Sequence, residues 1–444
     1  MNHQFDVIIV GGGTAGAAAA IAAARMGAKT LVVEQLGSLG GTQANGWVTP
    51  MMPNYLGDFK LNRGINLDIV QAQYAQQPAE DGTLHGDVWY DPVMLGYVLD
   101  GLAEDAGATP LYNASLTDVR VADGRIAAIE VVARGGRFWI EGKCFIDASG
   151  DGELSRQAGA ELMGGNEDGI HQPMTLRFKM GNVDVERARS GVDFWHIKNA
   201  FHLEAGFGEA KESPMAPWVN AAIESGILHE EDLGYFQCFT MNGCPGEFAF
   251  NAPRISDLDP LNPFELSRAY AVGRAKIYRI AEFMKRYFPG FDNAFVSGIA
   301  PLMGIRESRR VVGEYILTAE DHQACRKFEN TVARNRYPVD IHLKVGVDFR
   351  KLPPGDFHDI PYGSIVVKGL TNLWVAGRCL SADFVAQSSV RIQPVCRSLG
   401  EAAGIAAALC AENGMTAQAL PYPQLAPYLD LSLPEPTLSE TPGG

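Results

Sequence analysis

The sequence predicts an α/β protein, a Rossmann-like nucleotide-binding domain with a second, mixed α+β domain inserted into it. Three observations predict this. Residues 5–10 (FDVIIV) are an apolar run followed at once by Gly11-x-Gly13-x-x-Gly16 and an alanine-rich stretch. From about residue 164 to 298 the texture changes, with more aromatics, more prolines and longer loops. Regularity then returns near the carboxyl end, with an apolar run at 372–376 (NLWVA) and a small-residue helix at 395–412.

The elements follow in order. An uninterrupted apolar run such as 5–10 belongs to a strand buried on both faces of a parallel sheet. A helix is expected from Thr14 to Met26, ended by Gly27. Residues 29–34 (KTLVVE) are a second buried strand, which completes a βαβ unit of about thirty residues. Residues 47–85 are rich in Gly, Asn and Gln and read as a loop or lid with a short helix, able to cover either domain. Pro92–Ala106 has helical spacing, and residues 111–132 read as short strands turning at Asp123-Gly124. Residues 143–148 (KCFIDA) form a further buried strand. The first domain is expected at residues 1–165 and 361–420, the inserted one at 166–360, and an extended proline-rich tail at 421–444.

Composition narrows the class. At 444 residues the chain exceeds one simple core, and 46% hydrophobic with 20% charged residues is ordinary for a globular protein. Forty-nine glycines exceed the usual share of about 7%, consistent with tight turns and close backbone approaches. A formal charge of −15 argues against nucleic acid or an anionic membrane as partner. The seven cysteines are scattered without the spacing of a redox or zinc site, so no metal is expected, and they fit free thiols in a cytoplasmic protein. No basic leader opens the sequence, and the apolar run after Gly16 ends at Arg25, far short of a membrane span.

The glycine motif carries the chemistry. Gly11 permits the tight turn, Gly13 lets the backbone approach a pyrophosphate, and Gly16 lets the helix pack on the strand. Thr14 and Ala15 open the helix, whose N-terminus presents free N–H groups and partial positive charge to phosphate. Glu34 closes the second strand eighteen residues after Gly16, placed to accept hydrogen bonds from a ribose diol. Three glycines alone are a weak signal; the flanking strand, helix and acid make it strong.

A second glycine cluster, Gly37-Ser38-Leu39-Gly40-Gly41-Thr42, follows the acid directly, and no second complete fingerprint is visible for a nicotinamide nucleotide. This layout resembles the two-dinucleotide-fold flavoproteins that include glutathione reductase and fumarate reductase. Four further motifs occur in order. They are Gly304-Ile305-Arg306-Glu307-Ser308-Arg309-Arg310, Ile360-Pro361-Tyr362-Gly363, Asn372 to Cys379 (NLWVAGRC) and Ser389-Val390-Arg391. Together they resemble the bacterial FAD-dependent oxidoreductase family whose late motif is Ala-Gly-Arg, over residues 7 to 409. The resemblance implies FAD as cofactor in an FAD-binding domain, held by Gly11, Gly13, Thr14, Ala15, Gly16, Glu34, Gly41 and Thr42. It further implies contacts near Leu116, at Gly150 and Asp151, at Gly377 and Arg378, and at Ser389 and Val390. Where glutathione-reductase-like members carry an aspartate after the late glycine, this chain has Arg378, which implies a different closing contact, a charge-assisted bond to phosphate.

Four residues are candidates for the substrate side. The helix starting near Pro394 would point its N-terminus at the flavin pyrimidine ring, and Arg391 just before it would reinforce that field or bind a substrate carboxylate. The competing reading of Arg391 is a surface or domain-bridging salt bridge. Arg306, Glu307, Arg309 and Arg310 read as the start of a helix reaching Leu317, with Arg306 and Arg310 on one face. One arginine there would clamp an acidic substrate, or the group would pair internally to hold the domains together. His171, before the 173–179 strand (PMTLRFK), is a candidate base or covalent flavin anchor, and Tyr362 a candidate proton donor. Both residue types are more often structural in such places. Trp195, Trp218, Phe236, Phe239, Phe248 and Phe250 line a pocket or fill the core. Cys238 and Cys244 lack dithiol spacing, which argues against disulfide reduction.

The expected function is an FAD-dependent dehydrogenase or reductase of a small organic substrate with an undefined electron acceptor. A flavin monooxygenase or halogenase, and a non-catalytic flavin-bound subunit, are the alternatives.

Overall fold

The computed structural model describes residues 4–77, 89–197 and 202–433. Its first sheet has the strand order Thr109–Leu111, Thr30–Val33, Gln4–Val10, Gly136–Asp147, Arg125–Ala133, Ser115–Ala122, and Leu373–Val375 also pairs with Gly136–Asp147. Gln4–Val10 runs parallel to Thr30–Val33 on one side and to Gly136–Asp147 on the other, with Ile8 opposite both Leu31 and Phe145. The predicted strand at 143–148 is thus the end of a longer one that begins at Gly136. Its first half closes the antiparallel meander and its second half enters the parallel sheet.

Both faces of the parallel strands are covered, which explains their uninterrupted apolar runs. Val7, Ile9, Val32 and Ile146 face the helices Thr14–Arg25 and Gln393–Asn413, while Ile8, Leu31, Phe145 and Leu373 face the meander. The two helices touch backbone to backbone. A Cβ added at Gly400 would lie 2.0 Å from Ala15 O, and one at Gly404 would lie 2.4 Å from Ala19 O. Alanine and glycine fill this seam because larger side chains would part the helices. Gly27 N and Ala28 N close the first helix on Ala24 O and Ala23 O, with Gly27 at φ +83°.

The second sheet is antiparallel, in the order His196–Ile197, Leu203–Phe207, Phe236–Thr240, Phe248–Phe250, Phe178–Gly181, Phe295–Ile299. Helix Pro263–Tyr287 packs into the same core through Ala269, Ile277, Ile280 and Phe283, and Asn262 caps it by accepting from Phe264 N and Glu265 N. Trp195, Phe236, Phe248 and Phe250 belong to this core and Trp218 packs against it. Phe239 sits in a small cluster with Trp89. The aromatics therefore fill the interior.

Four expectations need correction. Residues 306–317 are not a helix: Arg309–Val311 is a short strand antiparallel to Leu162–Gly164. The alternating segment at 173–179 is two short strands, Met174–Thr175 and Phe178–Gly181, buried almost throughout, because Met174, Leu176 and Phe178 enter the second core while Thr175 and Arg177 line an internal cavity. The chain rejoins the first core well before residue 361, since Val311, Leu317, Val332, Ala333 and Ile360 are all buried there. Strands of three to five residues with mixed polarity hid that return. The tail opens with helical turns, Tyr422–Leu425 and Ala426–Tyr428, pinned by buried Leu425 and by Tyr422 Oη donating to Thr331 O. In the predicted loop, Ile65–Gln76 is the short helix; residues 78–88 lie outside the described residues, as do 434–444.

Among the described residues no helix is long and apolar enough to cross a membrane, and no group of side chains is arranged to hold a metal. All seven cysteines are free.

Candidate active site

A cavity of about 1080 Å³ opens where the glycine turn, the late Gly377-Arg378 segment and the second sheet meet. At one end it is bordered by Gly11, Gly13, Thr14, Ala15, Glu34 and Leu116. Gly41, Thr42, Gly150, Asp151, Gly377 and Arg378 border it further along. The turn is shaped by contact. A Cβ at Gly16 would fall 1.8 Å from Gly11 O, and one at Gly41 would fall 2.7 Å from Gly13 Cα. At Gly13 the nearest atom to an added Cβ is Gly41 Cα, at 3.8 Å, so its open side is space in the cradle. The helix behind it begins at Thr14 with no side-chain cap, which leaves its N-terminal field directed at the cavity.

Glu34 accepts from Gly12 N at 2.7 Å and from Leu36 N at 2.8 Å. Burial pushes its carboxyl above the usual range, against the pull of these N–H groups. These features fit the phosphates and ribose of a dinucleotide: an open glycine cradle, an uncapped helix end and an acid at the second strand.

The turn at 149–152 depends on Asp147, which sequence reading passed over. Fully buried, Asp147 accepts from Ser149 N and Oγ with one oxygen and from Ser155 N and Oγ with the other. Asp151, carried on that turn, accepts from Arg378 Nη2 at 2.7 Å and from Ser308 Oγ. Arg378 also donates to Ser308 Oγ at 2.7 Å. Arg378 borders the cavity and is paired with Asp151, a partner that an isolated Ala-Gly-Arg motif cannot reveal.

The other end of the cavity is walled by Arg177, Tyr235, Arg306, Tyr337, His342 and Arg391. Arg391 ends helix Phe384–Val390 and precedes helix Gln393–Asn413, which has no side-chain cap; Ile392 and Gln393 also border the cavity. Its Nη2 donates to Asp340 O at 2.8 Å and lies 3.4 Å from Asp340 Oδ2 and 3.5 Å from Gln172 Oε1. Asp340 and His342 alternate on strand Val339–His342, with His342 Nε2 3.3 Å from Asp340 Oδ1. Although burial opposes it, His342 and Arg391 hold the Asp340 carboxyl well below the usual range. Burial, with Arg306 next, brings His342 down to about 3. The Asp-x-His spacing was the sequence signal for this pair.

The structure divides the 304–310 motif. Arg306 faces the cavity, donating through Nη1 to Pro173 O at 2.6 Å and Thr175 Oγ1 at 2.9 Å. Arg310 pairs with Glu307 and donates to Ala382 O and Gly165 O, and Arg309 reaches Glu153. His171 binds Glu307 through Nδ1 at 2.8 Å and does not border the cavity, because the same buried carboxylate holds both. Tyr362 is also remote: its hydroxyl donates to Ala417 O and accepts from Trp374 Nε1, inside the first core. Ser389 donates to Tyr337 O and Val390 is core, both turned away from the cavity, while neighbouring Ser388 and Arg391 border it. Gly16 acts by packing. Arg177, Tyr235 and Tyr337 went unnamed because nothing local marks them, and the Asp340-x-His342 spacing was passed over.

No curated protein matches the chain. Among solved structures it is similar to a geranylgeranyl bacteriochlorophyll reductase-like protein from Thermoplasma acidophilum. There identity is 16%, coverage 96% of this chain and 83% of the other, and TM-score 0.44. It is similar to the myxobacterial chondrochloren halogenase at 12% identity, covering 96% and 78%, with TM-score 0.47. For p-nitrophenol 4-monooxygenase from Pseudomonas putida the values are 13%, 71% and 70%, and 0.40. Likeness at this level carries no argument about the reaction. The family of FAD dependent oxidoreductases matches residues 6–429, nearly the whole chain. The protein therefore belongs to the FAD dependent oxidoreductase family, as an enzyme with FAD as its cofactor.

Proposed function

We propose that the enzyme is a dehydrogenase or reductase of a small organic substrate, bound in the chamber between Tyr235, Arg306, Tyr337 and Arg391. The observation that carries this reading is continuity: one cavity joins the cradle at Gly13 and Glu34 to that chamber. Bound FAD supplies the hydride acceptor or donor. Glu34 would hold the ribose, and the Thr14 helix end the pyrophosphate. The uncapped end at Ile392–Gln393 would stabilise negative charge on the ring system.

The chamber's side chains then divide the proton work. Burial raises the Tyr235 and Tyr337 hydroxyls above their ordinary value, so both stay protonated at neutral pH and are the proton-bearing side chains that face the chamber. Asp340 stays ionised and orients Arg391, a positioning role. His342 cannot take a proton near neutrality.

The test is anaerobic mixing of the FAD-loaded enzyme with a panel of alcohols, amines, saturated acids and unsaturated acids, with reduced enzyme for the last. A change in the oxidised visible flavin band is expected with at least one class, slowed roughly a hundredfold or more in Tyr235→Phe if that residue donates the proton. Product carrying an oxygen atom from O2, with no anaerobic reaction, would replace this reading with oxygenation.

A further inference from the structure

We infer that the substrate is an organic anion, a carboxylate, held by Arg177 and Arg306; this rests on the chamber being the substrate site. Arg177 is 5% exposed and Arg306 9%, and both border the cavity. Neither pairs with a carboxylate among the described residues. Arg177 reaches Trp47 O at 3.5 Å, a long contact, and Arg306 uses one nitrogen, Nη1, on Pro173 O and Thr175 Oγ1. Two other buried arginines are anchored within the protein. Arg310 has Glu307 and two carbonyls, and Arg254 has the carbonyls of Leu343 and Gly346.

The charge balance of the chamber points the same way. Arg254 Nη2 lies 2.7 Å from His342 Nδ1. A guanidinium only donates, so Nδ1 is the acceptor and the ring proton sits on Nε2, towards Asp340. His342 is therefore neutral. Arg177, Arg306 and Arg391 border the chamber against two carboxylates, Asp340 and Glu204, the latter accepting from Gln237 at 2.6 Å, with Arg254 behind His342. One positive charge remains uncompensated in that wall, in a protein with a formal charge of −15. Burial is the main reason the Arg306 guanidinium holds its proton less firmly than usual, and repulsion from Arg391 and Arg254 adds to it while Asp340 opposes it. An anion would relieve that repulsion.

The second sheet contributes a polar row to the chamber. Phe178 and Cys238 both pair with Phe250, so the residues one step along, Arg177, Asn251 and Gln237, lie in a row across three strands. Asn251 Nδ2 donates to Gln237 Oε1 at 3.1 Å, making that row polar but neutral beside Arg177. A guanidinium edge offers paired N–H donors that match the two oxygens of a carboxylate, and this chemistry names the class.

The experiment is calorimetric titration of the FAD-loaded enzyme with acetate, succinate and benzoate, with their neutral amides, and with inorganic phosphate. The visible flavin band is read in parallel. At least one carboxylate should saturate the enzyme and its amide should bind at least roughly tenfold more weakly. Arg177→Gln and Arg306→Gln should weaken that carboxylate roughly tenfold to a hundredfold while FAD content and melting temperature hold. Should either variant fail to fold, the carboxylate–amide comparison on the unaltered enzyme decides alone. Equal binding of acid and amide, binding of phosphate alone, or no binding of any carboxylate would overturn the inference. A carboxylate that binds at the arginines without ever changing the redox state of the flavin supports the anion site and removes the dehydrogenase reading. A neutral compound that bleaches the flavin does the reverse.

Discussion

Replacing Gly13 and Gly16 separately by alanine should divide ligand binding from folding within one motif. At Gly13 the backbone has φ −69° and ψ −159°, open to any L-residue, and the added methyl meets only Gly41 Cα at 3.8 Å. The fold therefore loses nothing, and restricting the unfolded chain gains about 0.4–1 kcal/mol. The methyl instead occupies the space through which the backbone must approach the pyrophosphate, so FAD affinity should fall by about two orders of magnitude. At Gly16 the methyl would lie 1.8 Å from Gly11 O, 2.9 Å from Gly11 C and 3.1 Å from Ala148 Cβ. Backbone atoms cannot swing aside, so helix and strand must separate, at about 1–3 kcal/mol or more. The assay is thermal melting of the apo protein alongside fluorescence titration with FAD. Gly13→Ala should melt at or above the parent temperature yet bind FAD poorly, and Gly16→Ala should melt lower. Unimpaired FAD binding by folded Gly13→Ala would refute the cradle, and equal destabilisation by both would refute the division of roles.

Two other outcomes follow from buried groups. Tyr362→Phe removes a hydroxyl that serves Trp374 Nε1 and Ala417 O in the core, so it should cost about 1–3 kcal/mol in melting experiments and leave turnover of the folded enzyme unchanged. Loss of turnover at unaltered stability would restore Tyr362 as a proton donor. Burial lifts the Glu401 carboxyl, which accepts from Ile65 N, from 4.5 to about 7. The folded state thus keeps a proton that the unfolded state has released, so this contribution is complete below pH 4.5 and lost as pH rises through 7. Melting curves of Glu401→Gln should gain on the parent across that window, and a pH-independent difference would count against the buried acid.

The nucleotide half of the protein was legible in its sequence because its determinants are local. A strand, a turn and a helix lie within thirty residues, and Gly11, Gly13, Gly16 and Glu34 act through backbone shape and one side chain. Even Arg391 and Arg306 could be picked out, as arginines beside recognisable motifs. His171 and Tyr362 looked equivalent to them, and only packing separated the pairs: Glu307 draws His171 out of the cavity, and Trp374 holds Tyr362 in the core. The fate of Arg378 was likewise set by Asp151, 227 residues earlier in the chain.

The chamber proposed to hold the substrate belongs to the tertiary structure. Arg177 stands just before strand Phe178–Gly181, Tyr235 just before strand Phe236–Thr240, Arg306 on the connection back, and His342 with Asp340 on a late hairpin. No periodicity links residues so far apart, and each sits in a segment whose own pattern is explained by burial. What the sequence determined alone was a nucleotide fold, written in short-range geometry. What only the folded chain decided was which charges meet, because electrostatic interaction depends on distance in space and on exclusion of water, and neither is a property of neighbouring residues.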